Sequence, residues 1–171
     1  MNALVPLYRE MAASGDQFHG LSILQHKAQI GKLIVRHGAR KVLDFGCGRG
    51  DAYKSPHKVH RDWNLKWWDV TLYDPSFPTH DEKPGGKFDG VLCSDVLEHV
   101  EEADVDAFIE DLFTRASKFV WASVCCRPAK KCFPGTETNL HVTIHPVEWW
   151  DQKFADAAEK HAVAYYLVET P

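Results

Sequence analysis

Short apolar runs alternate with segments of helical periodicity along most of the chain. Five apolar runs are predicted as strands, and they cover residues 41–45, 70–73, 88–93, 118–126 and 162–168. Before and between them, apolar residues recur every three or four positions, which is typical of helices that cover a sheet. Strands that alternate with helices predict an α/β fold, with a mostly parallel sheet and helices on both faces.

Three segments show no clear periodicity of apolar residues. Residues 51–69 are polar and rich in tryptophan, and they predict only a short helix and a loop. Residues 76–87 and 127–140 contain several prolines and glycines, which predicts loops. No repeat or linker divides the chain. We therefore expect all 171 residues to form one domain, with an N-terminal helical segment and lid (1–38) and a core (39–171).

The composition is typical of a folded cytoplasmic protein. Hydrophobic residues make up 44% of the chain, enough for a core that needs no disulfides. A net charge of −4 argues against a protein that coats nucleic acid by bulk charge, although a local basic patch remains compatible with it. No apolar run is long enough to span a membrane, and Arg9 and Glu10 interrupt the N-terminal apolar stretch. Five scattered cysteines without a CxxC pair favour a reducing compartment.

A glycine-rich turn follows the first predicted strand. The sequence from Asp44 to Gly50 reads DFGCGRG, in which every second residue after Asp44 is glycine. Glycines allow a tight turn and the close approach of a ligand, and ligands bind at the carboxyl ends of parallel strands. A dinucleotide-binding fingerprint would have its third glycine where this chain has Asp51. The turn therefore predicts a ligand site of a different kind.

Two further segments carry acids at the ends of strands. Asp74 precedes Pro75 at the end of the second strand, where a carboxylate can accept hydrogen bonds from two neighbouring hydroxyls. The alternative is that Asp74 only starts a turn. Residues 88–100 read FDGVLCSDVLEHV, a buried strand followed by acids and a histidine.

These three segments together resemble the motifs of class I S-adenosylmethionine-dependent methyltransferases. The matching forms are D-x-G-x-G-x-G, an acid after the second strand, and a segment close to FD-x-V-x-x-x-x-VLEHV, in the family's order over about residues 40–125. The resemblance implies a Rossmann-like fold and S-adenosyl-L-methionine as the cofactor. The cofactor-binding residues that it implies are Asp44, Gly46, Cys47, Gly48, Gly50, Asp74, Pro75, Ser94 and Asp95.

The chain departs from the family pattern in three places. The segment between Asp74 and Phe88 is too short and too rich in proline and glycine for the usual helix and third strand. Asp44 and Asp74 are 30 positions apart, more than the pattern usually has, so residues 51–69 are interpreted as an insertion. Only one strand follows the last helix, which makes this a trimmed member without a substrate domain. The candidates for the acceptor pocket are the N-terminal segment with Tyr8, Phe18 and His19, the tryptophan-rich insertion, and the loop at 127–145.

A second group of polar residues follows the third strand. Asp95, Glu98 and His99 have the spacing that places them on one face at the start of a helix. Asp95 and Glu98 also fit a helix capping box, which requires no catalysis. Alternatively, His99 or His141, together with Glu98, could act as the general base.

The same residues resemble a divalent-metal site found in two branches of the family. These are the small-RNA 3′-terminal 2′-O-methyltransferases and the ubiquinone-pathway O-methyltransferases. The resemblance implies Mg²⁺ or Mn²⁺ bound by Asp95, Glu98, His99 and His141. More imidazole ligands would favour heavier transition metals.

The leading hypothesis for function is methyl transfer to an oxygen or nitrogen of an unidentified acceptor, most simply a small molecule. One alternative is a protein that binds or degrades S-adenosylmethionine without a methyl acceptor. Another is a metal-assisted enzyme that modifies nucleic-acid ends with the basic loop from Arg127 to Lys131. No membrane partner is expected, and the chain is compatible with a homodimer.

Overall fold

A five-stranded parallel sheet forms the centre of the molecule. The computed structural model describes residues 4–14 and 17–170; residues 1–3, 15, 16 and 171 of the predicted domain lie outside the described part. The strands are β1 (Val42–Phe45), β2 (Val70–Tyr73), β3 (Phe88–Ser94), β4 (Ala116–Val124) and β5 (Ala164–Glu169). Their order is β2-β1-β3-β4-β5, and every pair is parallel. The mostly parallel sheet predicted from the sequence is confirmed.

The helices are α1 (Val5–Ser14), α2 (Lys27–His37), α3 (Val59–Asp62), α4 (Glu102–Arg115) and α5 (Val147–His161). Helices α2 and α3 cover one face of the sheet, α4 and α5 cover the other, and α1 packs against residues 129–142. Side chains alternate between the faces of a strand, so Leu43 packs with α4 and α5, whereas Val42 packs with α2 and α3. The continuous apolar runs of the sequence correspond to β1, β3 and β4, which are covered on both faces.

The segment between β3 and α4 differs from the prediction. Residues Leu97–His99 form a single 3-10 turn, and α4 begins only at Glu102. Asp95 adopts a left-handed conformation with φ of 53°. The prediction that Asp95, Glu98 and His99 share a face at the start of a helix is therefore wrong. The capping-box interpretation fails as well, because neither of the two helical segments has a side-chain cap.

The tryptophan-rich insertion has two parts with opposite environments. Trp63 is buried beneath α2, and its Nε1 donates a hydrogen bond to the Lys27 carbonyl at 2.9 Å. Trp67 and Trp68 lie in the 3-10 turn before β2 and are exposed. Only Trp63 therefore supports the fold by packing.

Across residues 4–14 and 17–170, no helix combines the length and the apolar character that a membrane crossing requires.

Candidate active site

A cavity of about 610 Å³ opens at the carboxyl ends of β1, β2 and β3. This volume falls within the range of about 300–1,000 Å³ that is usual for small-molecule sites. The residues that line it from these strand ends are Gly46, Gly48, Asp74, Pro75, Ser94 and Asp95. The opposite side is formed by α1, the segment after it, and α4. Because all strands are parallel, their carboxyl ends meet at one edge, where such sheets bind ligands.

The glycine-rich turn is shaped so that only glycine fits at two positions. Gly46 has φ of +92°, and a Cβ there would lie 2.3 Å from a methyl carbon of Val96. Gly48 has φ of +56°, and a Cβ there would lie 2.2 Å from the Phe18 carbonyl oxygen. The backbone thus faces the cavity without side chains in between, as a cofactor cradle requires.

The segment after α1 is hydrogen-bonded along this turn. The Arg49 N–H donates to the Phe18 carbonyl at 2.9 Å, and the Asp51 N–H donates to the His19 carbonyl at 3.0 Å. His19 Nδ1 also lies 2.9 Å from the Asp51 carboxylate. Phe18 and His19 are therefore held as part of the cavity wall.

Asp74 presents a fixed carboxylate to the cavity. Its Oδ2 accepts a hydrogen bond from the Gly48 N–H at 2.9 Å, and its Oδ1 accepts one from the Ser76 N–H at 2.8 Å. Burial raises the pKa of this carboxyl, because the charged form loses water. Each carboxylate oxygen keeps a further lone pair for a ligand hydroxyl. The carboxylate fits the ribose hydroxyls of S-adenosylmethionine. The glycine cradle fits the part of the cofactor that would lie against the protein backbone.

Three of the predicted cofactor residues lie behind the cavity wall. The Asp44 carboxylate is buried and accepts a hydrogen bond from the Tyr53 hydroxyl at 2.9 Å. Burial raises the pKa of Asp44 to about 7. Cys47 is buried, and a Cβ at Gly50 would meet Leu72 rather than the cavity. Asp44, Cys47 and Gly50 therefore shape the turn from below.

Asp95 is held in its strained conformation by the ends of two other strands. Its Oδ1 accepts hydrogen bonds from the Ser123 hydroxyl at 2.7 Å and from the Thr170 hydroxyl at 2.5 Å. Its backbone N–H donates to the Ser123 Oγ at 3.1 Å. A left-handed conformation costs free energy at a residue other than glycine, and it is kept only where such contacts hold it. The role of Thr170 was not foreseen, although a parallel last strand brings its carboxyl end to this edge.

His99 lies in a hydrogen-bond network that fixes its tautomer. Its Nδ1 is 3.0 Å from the Leu140 carbonyl and 3.1 Å from the Tyr8 hydroxyl, which itself donates to the Leu140 carbonyl at 3.0 Å. Because a carbonyl oxygen can only accept, Nδ1 carries the proton, and Nε2 carries the lone pair. Burial lowers the pKa of His99 to about 4, so the ring is neutral at pH 7.

Glu98 and His141 lie beside His99. Each of the three residues offers one ligand atom, and these atoms lie within 4.8 Å of one another. The Glu98 Oε1 accepts the Cys125 N–H at 3.1 Å, and its buried Oε2 has no hydrogen-bond partner among the described residues. Burial raises the pKa of Glu98 to about 8. His141 Nδ1 lies 2.6 Å from the Arg127 carbonyl, which leaves its Nε2 as the ligand atom.

Asp95 lies outside the three-residue group, and the basic loop lies outside the cavity. Asp95, predicted as a fourth metal ligand, is not part of the three-residue group, and its Oδ1 is engaged by Ser123 and Thr170. The basic side chains Arg127, Lys130 and Lys131 are exposed and do not line the cavity.

A family model for a methyltransferase domain matches residues 16–161, which is most of the chain. No curated protein and no solved structure matches it. The family match agrees with the parallel sheet, the glycine cradle and the carboxylate at the end of β2. The chain belongs to this methyltransferase family and is an S-adenosylmethionine-dependent enzyme.

Proposed function

We propose that the enzyme methylates an oxygen or nitrogen of a small-molecule acceptor, and that the acceptor occupies the side of the cavity between α1 and α4. Apolar side chains dominate this side, with Val5, Tyr8, Val100, Ala107 and Phe108 among them. The polar groups there are His99, Lys83, Asp104 and Asp111. An apolar wall with a few polar groups is typical of sites that orient a small molecule.

The proposal rests on the fixed tautomer of His99. When bound, S-adenosylmethionine supplies an electrophilic methyl group on a sulfonium. The residue required from the protein is a base that removes the acceptor proton as the new bond forms. His99 lines the cavity, it is neutral, and its Nε2 holds a lone pair. Catalysis then comes mainly from alignment of the acceptor, with proton removal by His99.

Transfer of a labelled methyl group tests the proposal. The enzyme is incubated with methyl-labelled S-adenosylmethionine and a cell extract separated into molecules below about 3 kDa, nucleic acids and proteins. We expect enzyme-dependent label in the small-molecule fraction, and loss of that label with His99→Gln. Label only in nucleic acid would favour end modification. Breakdown of the cofactor with no methylated product would favour a degrading enzyme.

A metal-assisted reaction is the second candidate, because the buried Glu98 Oε2 lacks a partner among the described residues. Glu98, His99 and His141 would hold the ion. One carboxylate and two imidazoles favour Mn²⁺, Fe²⁺ or Zn²⁺ over Mg²⁺, in contrast to the oxygen-rich set expected from the sequence. Such an ion would lower the pKa of an acceptor hydroxyl.

Glu98→Gln separates the two candidates. The amide keeps the shape of the side chain but is a poor ligand, so bound metal measured by elemental analysis should fall well below one ion per chain. If the unsubstituted protein purifies without metal, and if chelator leaves methyl transfer unchanged, then His99 acts without an ion.

A further inference from the structure

The helical layer made of α2 and residues 54–69, here called the basic layer, concentrates the positive charge of the chain. It contains seven Lys or Arg residues and two Asp residues. The cations are Lys27, Lys32, Arg36, Lys54, Lys58, Arg61 and Lys66, and all but the partly buried Lys58 are exposed. The helices α4 and α5, on the other face of the sheet, contain nine acids and three Lys or Arg residues. A chain with a net charge of −4 thus has one strongly basic side.

The two acids of the basic layer are already engaged within it. Asp62 pairs with Lys27 at 2.9 Å, a contact that joins the insertion to α2. The Asp69 carboxylate accepts the Lys66 N–H at 2.8 Å inside its own turn. Lys54 pairs with Asp51, just outside the basic layer, at 2.9 Å. The exposed Lys32, Arg36, Arg61 and Lys66 carry the charge that can attract an anionic partner from solution.

A groove runs between α2 and the turn at residues 62–64. The side chains of Lys27, Lys32, Arg36 and Trp63 are among those that line it. Gly31 lies next to Trp63, and a Cβ there would lie 3.3 Å from the indole. Cations therefore border a concave surface that could follow an extended polyanion.

Two exposed tryptophans lie in the same layer. Trp67 and Trp68 are 70% and 66% exposed, and their ring centroids lie 6.0 Å apart with the rings nearly perpendicular. They directly follow Lys66, which is also exposed. Neither ring contributes to the core, in contrast to the buried Trp63. Adjacent exposed indoles beside cations provide flat surfaces for stacking together with positive charge.

We propose that the basic layer binds single-stranded nucleic acid, with phosphates on its cations and unpaired bases stacked on Trp67 and Trp68. Single-strand binding surfaces combine a positive groove with aromatic side chains, and they need no base-specific hydrogen bonds. A duplex offers phosphates but keeps its bases paired, so it should bind less tightly to the same surface.

Two other partners of the basic layer, a second copy of the chain and an anionic membrane, fit the observations less well. A symmetric dimer through this face would bring the same cations of two copies together, which is repulsive. An anionic membrane would need a wider apolar face, whereas Val35 is the other exposed large apolar residue of the basic layer. The experiment below distinguishes both partners from single-stranded nucleic acid.

The proposal is independent of the methyl acceptor. No residue of the basic layer lines the cavity, so Asp74→Ala should bind nucleic acid normally even where cofactor binding fails. The failure of one proposal can therefore be distinguished from the failure of the other.

Fluorescence anisotropy with labelled 20-nucleotide oligothymidine and oligouridine tests the surface. We expect binding at low salt, with an affinity that falls about fiftyfold between about 50 and 200 mM KCl if four phosphates are contacted. Trp67→Ala combined with Trp68→Ala should weaken binding about tenfold or more, through the loss of stacking. Lys32→Glu combined with Arg36→Glu should have an effect of similar size. All four residues are exposed, so folding should be unaffected.

Lys130→Glu combined with Lys131→Glu is the matched control, because it changes the net charge equally on an exposed loop outside the basic layer. We expect this pair to bind normally. Absence of binding at 50 mM KCl, or equal weakening by the control pair, overturns the proposal. Binding to phosphatidylserine vesicles without binding to oligonucleotides would assign the surface to a membrane. A doubled mass without nucleic acid, abolished by the tryptophan substitutions, would assign it to a second copy.

Discussion

The two walls of the cavity are built in different ways. The wall at the strand ends consists of backbone and short side chains close in sequence to β1 and β2, with Gly46, Gly48 and Asp74 at its centre. The opposite wall is assembled from distant parts of the chain. Tyr8 and His99 are 91 positions apart, and Tyr8 and Leu140 are 132 apart, yet hydrogen bonds join all three.

This difference separates two tasks that a group-transfer enzyme must perform. A wall made of backbone and one fixed carboxylate binds a constant ligand, because its geometry follows directly from the sheet. A wall made of side chains from α1 and α4 can vary without disturbing the sheet. We therefore expect substitutions in the first wall to change cofactor affinity, and substitutions in the second to change turnover.

The largest effect is expected for His99→Gln. Loss of the neutral imidazole at the cavity should lower turnover about 10²–10⁴-fold, the usual contribution of a general base. Affinity for S-adenosylhomocysteine, measured by calorimetry, should stay within about twofold. His145→Gln is the control, because His145 pairs with Glu102 outside the cavity wall. Full turnover in His99→Gln would rule out both the base and the ligand role.

Asp74→Ala should produce the opposite pattern. The variant loses the carboxylate that faces the ligand hydroxyls, so affinity for S-adenosylhomocysteine should fall by about 1.5–3 kcal/mol, measured by calorimetry. The exposed Asp156→Ala serves as a control for the loss of one negative charge. Unchanged affinity in Asp74→Ala would mean that the cofactor does not lie at the end of β2.

Asp44→Asn tests the buried carboxyl behind the strand-end wall of the cavity. The measured quantity is the free energy of unfolding. The pKa of Asp44 is raised to about 7 in the folded protein, so the folded state binds more protons than the unfolded state between about pH 4 and 7. Its contribution to the free energy of unfolding therefore decreases as pH rises through this range. Asp44→Asn should remove that contribution, so the free energy of unfolding measured in urea titrations should change between about pH 4 and 7 by about 3 kcal/mol less than in the unsubstituted protein. An identical slope in both proteins would contradict the buried, protonated acid.

Tyr8→Phe should give the smallest effect. The change removes one hydroxyl from the network around Leu140 and His99, which is worth about 1 kcal/mol. We expect turnover to fall about fivefold, while affinity for S-adenosylhomocysteine stays unchanged in calorimetry. Tyr165→Phe removes a comparable hydrogen bond to Asp151 on the surface and should leave turnover intact. An equal effect of both substitutions on turnover would indicate a general loss of stability instead.

The sheet could be predicted because its central strands are short apolar runs bounded by glycine, proline or charge. Gly38 ends α2 in a left-handed conformation, which glycine adopts without strain. The turn after β3 could not be predicted from the spacing, because positions i and i+3 share a face in an α-helix and also in a 3-10 turn. The tertiary hydrogen bonds of Asp95 determine which one forms.

The residues of the candidate site were predictable only where a local motif carries them. Gly46, Gly48 and Asp74 follow strands directly, and they line the cavity. Tyr8 and Phe18 could be named only as candidates, since no local pattern predicts a contact across 91 positions. No pattern in the sequence pointed to Thr170. Its hydroxyl matters because β5 ends beside β4, and that pairing depends on the whole sheet.

Helix α1 is fastened at two neighbouring residues. Tyr8 reaches the Leu140 carbonyl, while Arg9 donates to the Pro75 carbonyl at 2.7 Å and pairs with Asp81 at 2.8 Å. Because Tyr8 also lies 3.1 Å from His99 Nδ1, any displacement of α1 would alter the surroundings of the His99 ring and release the Pro75 carbonyl and Asp81 at the same time. The first helix thus couples the end of β2 to the segment that holds His99.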